Sequence, residues 1–175
     1  YENQEIQTIF VMRPGSPFQA AQELSHRLTR EYPKVTGCLW TSGSRTSKRV
    51  RAAGKYNRTK QTMNNLETDQ LEITLGGSMK VLSGQGYMME NLAGRQFRVS
   101  AGSFFQVNPA AAILMMERVR NIITSQFPDA VSLLDLYAGV GNFSLWVADE
   151  VDGIDMVEEN PSAVKDAHYN IQQLR

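Results

Sequence analysis

Cysteine is almost absent from this sequence. The single residue, Cys38, excludes an internal disulfide framework and any metal site built from several cysteines, and no metal is expected. No run of 18 apolar residues occurs, so no membrane-spanning helix and no membrane partner are expected. The opening Tyr1-Glu2-Asn3-Gln4-Glu5 is no signal peptide, and a cytoplasmic location follows as the expectation. Charge of one sign is not in excess either: 18 Lys and Arg balance 18 Asp and Glu, so net charge points to no partner. An initiator methionine is lacking too, and a helical pattern runs to the last residues, which reads as a piece of something longer.

What is present is unevenly placed. Residues 41–65 hold seven basic side chains, Arg45, Lys48, Arg49, Arg51, Lys55, Arg58 and Lys60, and no acid. Interleaved with Ser, Thr, Gly and Asn, they suit phosphate contacts, although a plain solvated loop has much the same composition. Residues 149–166 reverse the balance, with seven acids against one lysine.

The apolar pattern predicts an α+β unit with several antiparallel strands over residues 1–100, then the first half of an α/β, Rossmann-like fold over 101–175. Strands are expected over 6–12, 35–40, 71–75, 80–82 and 96–99, with glycines at 84, 86 and 94 breaking the chain. Ser16-Pro17 is read as the start of a helix whose stripe is Phe18, Ala21, Leu24 and Leu28, leaving His26 toward solvent. Asn108 and Pro109 open a long helix. Strand 131–137, helix 142–148, strand 151–156 and a helix from Pro161 complete a βαβ unit. The last helix is expected to bury Val164, Ala167, Ile171 and Leu174.

The sharpest local signal is Ala138-Gly139-Val140-Gly141-Asn142, between strand and helix. Gly139 and Gly141 allow a tight bend and close ligand approach. The dinucleotide fingerprint needs a third glycine three residues on, where this chain has Ser144, which counts against NAD and FAD. Asp155, 16 residues after Gly139, is read as the strand-end acid that accepts bonds from ribose hydroxyls. Adenosine without a phosphate describes S-adenosylmethionine. Asp135 is expected near the end of the preceding strand, accepting bonds from the turn or from the cofactor's amino acid portion.

The run Ser103-Phe104-Phe105-Gln106-Val107-Asn108, followed after one helix by Leu134-Asp135-Leu136-Tyr137-Ala138-Gly139-Val140-Gly141-Asn142-Phe143, closely resembles the RNA uracil-5 methyltransferase family. Residues 84–94 and Pro161-Ser162-Ala163-Val164 with Asn170 look like that family as well. The resemblance is strong over 71–175 and thin over 1–70. It implies an S-adenosylmethionine site in which Gln106 meets the cofactor's amino acid portion or orders the cleft. Tyr137 would lie against the cofactor, Asn142 would support the turn and Asp155 would take the ribose. The family usually has cysteine where this chain has Ala138, and often glutamate as the strand-end acid.

The resemblance also implies the chemistry: methylation of C5 of a uridine in ribosomal or transfer RNA, by thiolate addition at C6 and removal of the C5 proton by a carboxylate. Both catalytic groups are expected beyond Arg175, so this chain alone is expected to be inactive. Cys38 is read as a small, partly buried residue. Two alternatives stand beside this reading: a non-catalytic RNA-binding module with a degenerate cofactor fold, and a methyltransferase of similar fold for protein or small molecules. The F-F-Q-V-N run argues against the latter. With its parallel strands left short of neighbours, the chain is expected to self-associate.

Overall fold

The computed structural model describes residues 4–12, 15–42, 79–129 and 132–173. The basic segment from Arg45 to Lys60 and the strand expected over 71–75 lie outside the described residues.

β1 (Ile6–Met12), α1 (Phe18–Glu31), β2 (Val35–Ser42) and β3 (Lys80–Gly84) form a three-stranded sheet in the order β1-β2-β3, with α1 packed on it. β2 and β3 are antiparallel, but β1 and β2 run parallel. Helix α1 is what returns the chain for that parallel pairing, which a short turn could not do. Ser16 does not cap α1: Pro17 takes the N-cap position without a side-chain bond. The buried face of α1 is Ala21 and Ser25 rather than Leu24, which is 44% exposed. Ser25 meets its needs locally, its hydroxyl donating to the Gln22 carbonyl at 2.7 Å. Cys38 is fully buried in β2, its thiol facing the Ser25 carbonyl at 3.8 Å. His26 is exposed.

β4 (Tyr87–Leu92) and β5 (Arg95–Ser100) form an antiparallel hairpin. Strand β4 goes unread in the sequence because Tyr-Met-Met-Glu-Asn-Leu has no clean alternation. Its cross-strand partners and the turn define it instead, with Ala93 and Gly94 at φ of 50° and 83° and the Gly94 N–H bonded to Asn91 Oδ1 at 2.8 Å.

α2 (Pro109–Gln126) begins as its sequence dictates, with the Asn108 side chain accepting from the Ala111 N–H and proline in the first turn. β6 (Ser132–Leu136), α3 (Asn142–Trp146), a 3₁₀ turn (Ala148–Glu150) and β7 (Gly153–Val157) then give a parallel βαβ unit, closed by α4 (Pro161–Gln172).

One buried cluster spans these parts: Leu92, Phe97 and Val99 from the hairpin, Ala112 and Met116 from α2, and Val140, Leu145 and Ala163 from the βαβ unit. The core therefore crosses residue 100. Truncating Phe97 or Met116 to alanine costs about 2–5 kcal/mol in such a setting. Arg95 at the hairpin turn reinforces the union. It donates to the Leu145 carbonyl near the end of α3, lies 5.3 Å over the Trp146 ring and reaches Asp149 at 3.6 Å.

Among the described residues, the two-stranded β6–β7 sheet is covered on one face only. Leu133 and Ile154 are half-buried, whereas Leu134, Leu136 and Val157 on the opposite face are 59%, 56% and 52% exposed.

Candidate cofactor site

After Leu136 the chain leaves β6 through three left-handed residues. Tyr137, Gly139 and Gly141 have φ of 63°, 59° and 90°. At Gly141 the left-handed φ favours glycine, and a Cβ would also sit 3.0 Å from Met156 Cε, which would have to give way. The Ala138 N–H continues the ladder to the Val157 carbonyl at 3.1 Å, and the Gly141 N–H closes the turn onto the Ala138 carbonyl at 2.9 Å.

The acid at the end of the second strand is Glu158. Strand β7 runs from Gly153 to Val157, two residues later at its start and one later at its end than the sequence pattern suggests. Asp155 is consequently the middle residue of the strand, opposite Leu134, exposed and on the uncovered face. That position corrects its reading as the strand-end acid. Glu158 Oε2 accepts the Gly139 N–H at 2.8 Å, and its Oε1 accepts the Asn160 N–H at 2.8 Å. These main-chain donors, Asn160 first, hold the Glu158 carboxyl below its ordinary value of 4.5. It is a fixed negative charge beside the glycine turn. The signal for it lay in Asn160-Pro161, a helix start that marks the strand end just upstream. Asn160 does cap α4, its side chain accepting from the Ser162 N–H.

Asp135 is the fourth residue of β6, near its end as expected, but its partner is a side chain. The Ser144 hydroxyl, fully buried in α3, donates to Asp135 Oδ2 at 2.5 Å. The place of the fingerprint's third glycine is thus taken by a serine that ties helix to strand through a hydrogen bond. Asn142, 6% exposed, is the first residue of α3.

The S-F-F-Q-V-N loop lies against this turn. The Phe104 carbonyl comes within 3.9 Å of where a Gly139 Cβ would stand. The adjacent phenylalanines diverge: Phe105 packs on Phe97 with ring centroids 6.1 Å apart, while Phe104 is 71% exposed. Gln106 is half-buried, and Tyr137, beside the turn, is 89% exposed. So the structure brings Tyr137, Gly139, Gly141, Asn142 and Asp135 into one strand-end region with the Phe104–Gln106 loop beside it, and leaves Asp155 out. Cys38 belongs to the separate β1–β3 sheet. Among the described residues, no group of three or more His, Cys, Asp or Glu side chains is placed to hold a metal, and no helix is long and apolar enough to cross a membrane.

An uncharacterized RNA methyltransferase of Oceanobacillus iheyensis is 25% identical over 96% of the chain, and another of Chlorobaculum tepidum is 35% identical over 63% of it. The chain spans 31% and 22% of those relatives' lengths. Among solved structures, the tRNA (uracil-54, C5)-methyltransferase of Pyrococcus abyssi, in complex with S-adenosyl-L-homocysteine, superposes with a TM-score of 0.58 at 19% identity. That match covers 97% of this chain and 33% of that one, and it shares the fold: an antiparallel-rich N-terminal part followed by a Rossmann-like methyltransferase region. The tRNA (uracil-5-)-methyltransferase model matches residues 49–175, and the chain belongs to that family.

Proposed function

We propose that this chain supplies the first half of the cofactor site of an S-adenosylmethionine-dependent enzyme that methylates C5 of a uridine in ribosomal or transfer RNA. The observation that carries the reading is the Glu158 carboxylate, ionised and bonded to Gly139, with the Phe104–Gln106 loop across the same turn.

The residues present fit such a cofactor. Glu158 is held ionised, and a carboxylate has acceptor capacity beyond its main-chain bonds to Gly139 and Asn160, which suits ribose hydroxyls. The acid-rich stretch 149–166 disfavours a phosphate, in keeping with a phosphate-free adenosine. Asp135 Oδ1 is suited to an ammonium group, and Tyr137 offers an exposed aromatic face. Gln106 would orient the amino acid portion, and Asn142 would keep the turn in place. When bound, the cofactor supplies an electrophilic methyl group. The intact turn and its carboxylate favour this reading over a non-catalytic RNA module with a degenerate cofactor fold.

The nucleophile and base of the family reaction belong, in this proposal, to parts of the full-length protein outside these 175 residues, since Cys38 is fully buried in another sheet. The division into a central RNA-contacting unit (1–100) and a cofactor unit (101–175) is part of the same proposal, as is phosphate contact by Arg45, Lys48, Arg49, Arg51, Lys55, Arg58 and Lys60.

Titration of the full-length protein with S-adenosylhomocysteine, and tritium transfer from labelled cofactor to ribosomal and transfer RNA transcripts, test the reading. Binding and transfer by the full-length protein, with no transfer by the 175-residue chain, is the expected result. Failure of the full-length protein to bind the cofactor product overturns it.

A further inference from the structure

Helix α4 buries a polar face against the rest of the site. Asn170, 2% exposed, makes three main-chain bonds: Oδ1 accepts the Arg98 N–H at 2.7 Å, and Nδ2 donates to the carbonyls of Arg98 at 3.2 Å and Val140 at 3.0 Å. A carboxamide combines the acceptor and the two donors that this pattern requires. One turn earlier, Asp166 is fully buried. It accepts from the Ser100 N–H at 2.7 Å and from the Ser100 and Ser103 hydroxyls at 2.8 Å each, and it pairs with the Arg98 guanidinium at 3.1 Å. The guanidinium is itself stacked 4.1 Å over Tyr87 and 5.4 Å from Tyr169.

Val140 lies between the two glycines of the turn, whereas Arg98, Ser100 and Ser103 lead directly into the Phe104–Gln106 loop. Asn170 therefore ties the turn to β5, and Asp166 ties the end of β5 to the root of the loop at Ser103. An apolar face on α4 would bury more cheaply than a carboxylate and a carboxamide. What the polar pair adds is a fixed distance. We infer that Asn170 and Asp166 are positioning residues, which set the spacing between the Phe104–Gln106 loop and the Gly139–Gly141 turn, and so the orientation of the methyl donor held between them. The inference rests on the function proposed above.

The test uses the full-length protein. Asn170→Ala is expected to weaken S-adenosylhomocysteine binding about tenfold. It is also expected to speed hydrogen exchange at the Gly139 and Gly141 amides, whose own acceptors, Glu158 and Ala138, the substitution leaves untouched. Ser103→Ala, which frees only the loop root, is expected to lower kcat for methylation of the RNA transcripts about tenfold while the dissociation constant changes by less than about twofold. A folded Asn170→Ala protein with unchanged affinity and unchanged exchange at both glycines overturns the inference. Should that variant not fold, Ser103→Ala with an unchanged kcat overturns it. Should the unsubstituted protein bind no S-adenosylhomocysteine, the functional reading falls first, and exchange at Gly139 and Gly141 still decides whether α4 couples loop to turn.

Discussion

Glu158 and Asp155 are three residues apart, and the difference between them is geometric rather than chemical. Alternation along β7 sends Asp155 to the uncovered face, while Glu158, just past the strand, bends back to the Gly139 amide. Glu158→Gln in the full-length protein is expected to weaken S-adenosylhomocysteine binding by about 1–3 kcal/mol, and Asp155→Ala to leave it unchanged; calorimetry on the two variants checks both. Because its folded-state pKa is lowered, Glu158 adds stability above its ordinary pKa, and that contribution fades as pH falls through the folded value. Glu90 behaves in the opposite sense. It is 2% exposed in β4, and burial, with Glu5 nearby, raises its pKa above 4.5. A raised acid favours the folded state only while protonated, so stability falls as pH climbs from the ordinary value through the folded one. Glu90→Gln should therefore melt roughly 2–4 °C higher at pH 7 and gain nothing at pH 4, in paired thermal scans.

At the level of elements, the readable parts were those announced by backbone chemistry. Asn108-Pro109 gave α2 its start, and the double glycine gave the turn between β6 and α3. The misread parts are those where polar residues are buried. On α1 the inner face includes Ser25, and on α4 it is Ala163, Asp166, Ala167 and Asn170, whereas Ile171 is 36% exposed. A pattern that counts only apolar side chains assigns Asp and Asn to solvent. Here they face inward because β5 offers them unpaired main-chain groups from a distance in sequence of more than 60 residues. Strand β7 slipped for a related reason: its ends are set by pairing with β6, not by its own composition. The turn itself tolerates little. Gly141→Ala meets both Met156 and a left-handed φ, and is expected to cost about 1–2 kcal/mol in denaturant unfolding while abolishing measurable cofactor binding in the full-length protein.

For the whole molecule, Leu134, Leu136 and Val157 are all more than half exposed on one face of the β6–β7 sheet, whose parallel strands the sequence left short of neighbours. A two-stranded sheet with that face open is expected to bring copies of the 175-residue chain together. Light scattering at two concentrations should show the mass rising with concentration, and Leu134→Lys should suppress the rise. What composition did not reveal is that one buried core includes residues on both sides of position 100. Leu92, Phe97 and Val99 pack with α2 and the βαβ unit, because the hairpin's own two strands cannot bury their inner side chains alone.

The clamp of Arg95 on the Trp146 ring gives that shared core an optical consequence. The chain's two tryptophans report from different sheets: Trp40 from β2, in edge contact with Phe18 at 5.9 Å, and Trp146 from the end of α3 under the hairpin. Trp40→Phe leaves emission from Trp146 alone, and Trp146→Phe leaves Trp40. The single-tryptophan variants measure two melting curves in one molecule. For Trp146, loss of the β4–β5 hairpin and loss of the βαβ unit should be a single event, matching hairpin amide exchange across a denaturant series. A Trp146 transition that separates from hairpin exchange would make the Arg95 contact an ornament of the surface rather than a joint.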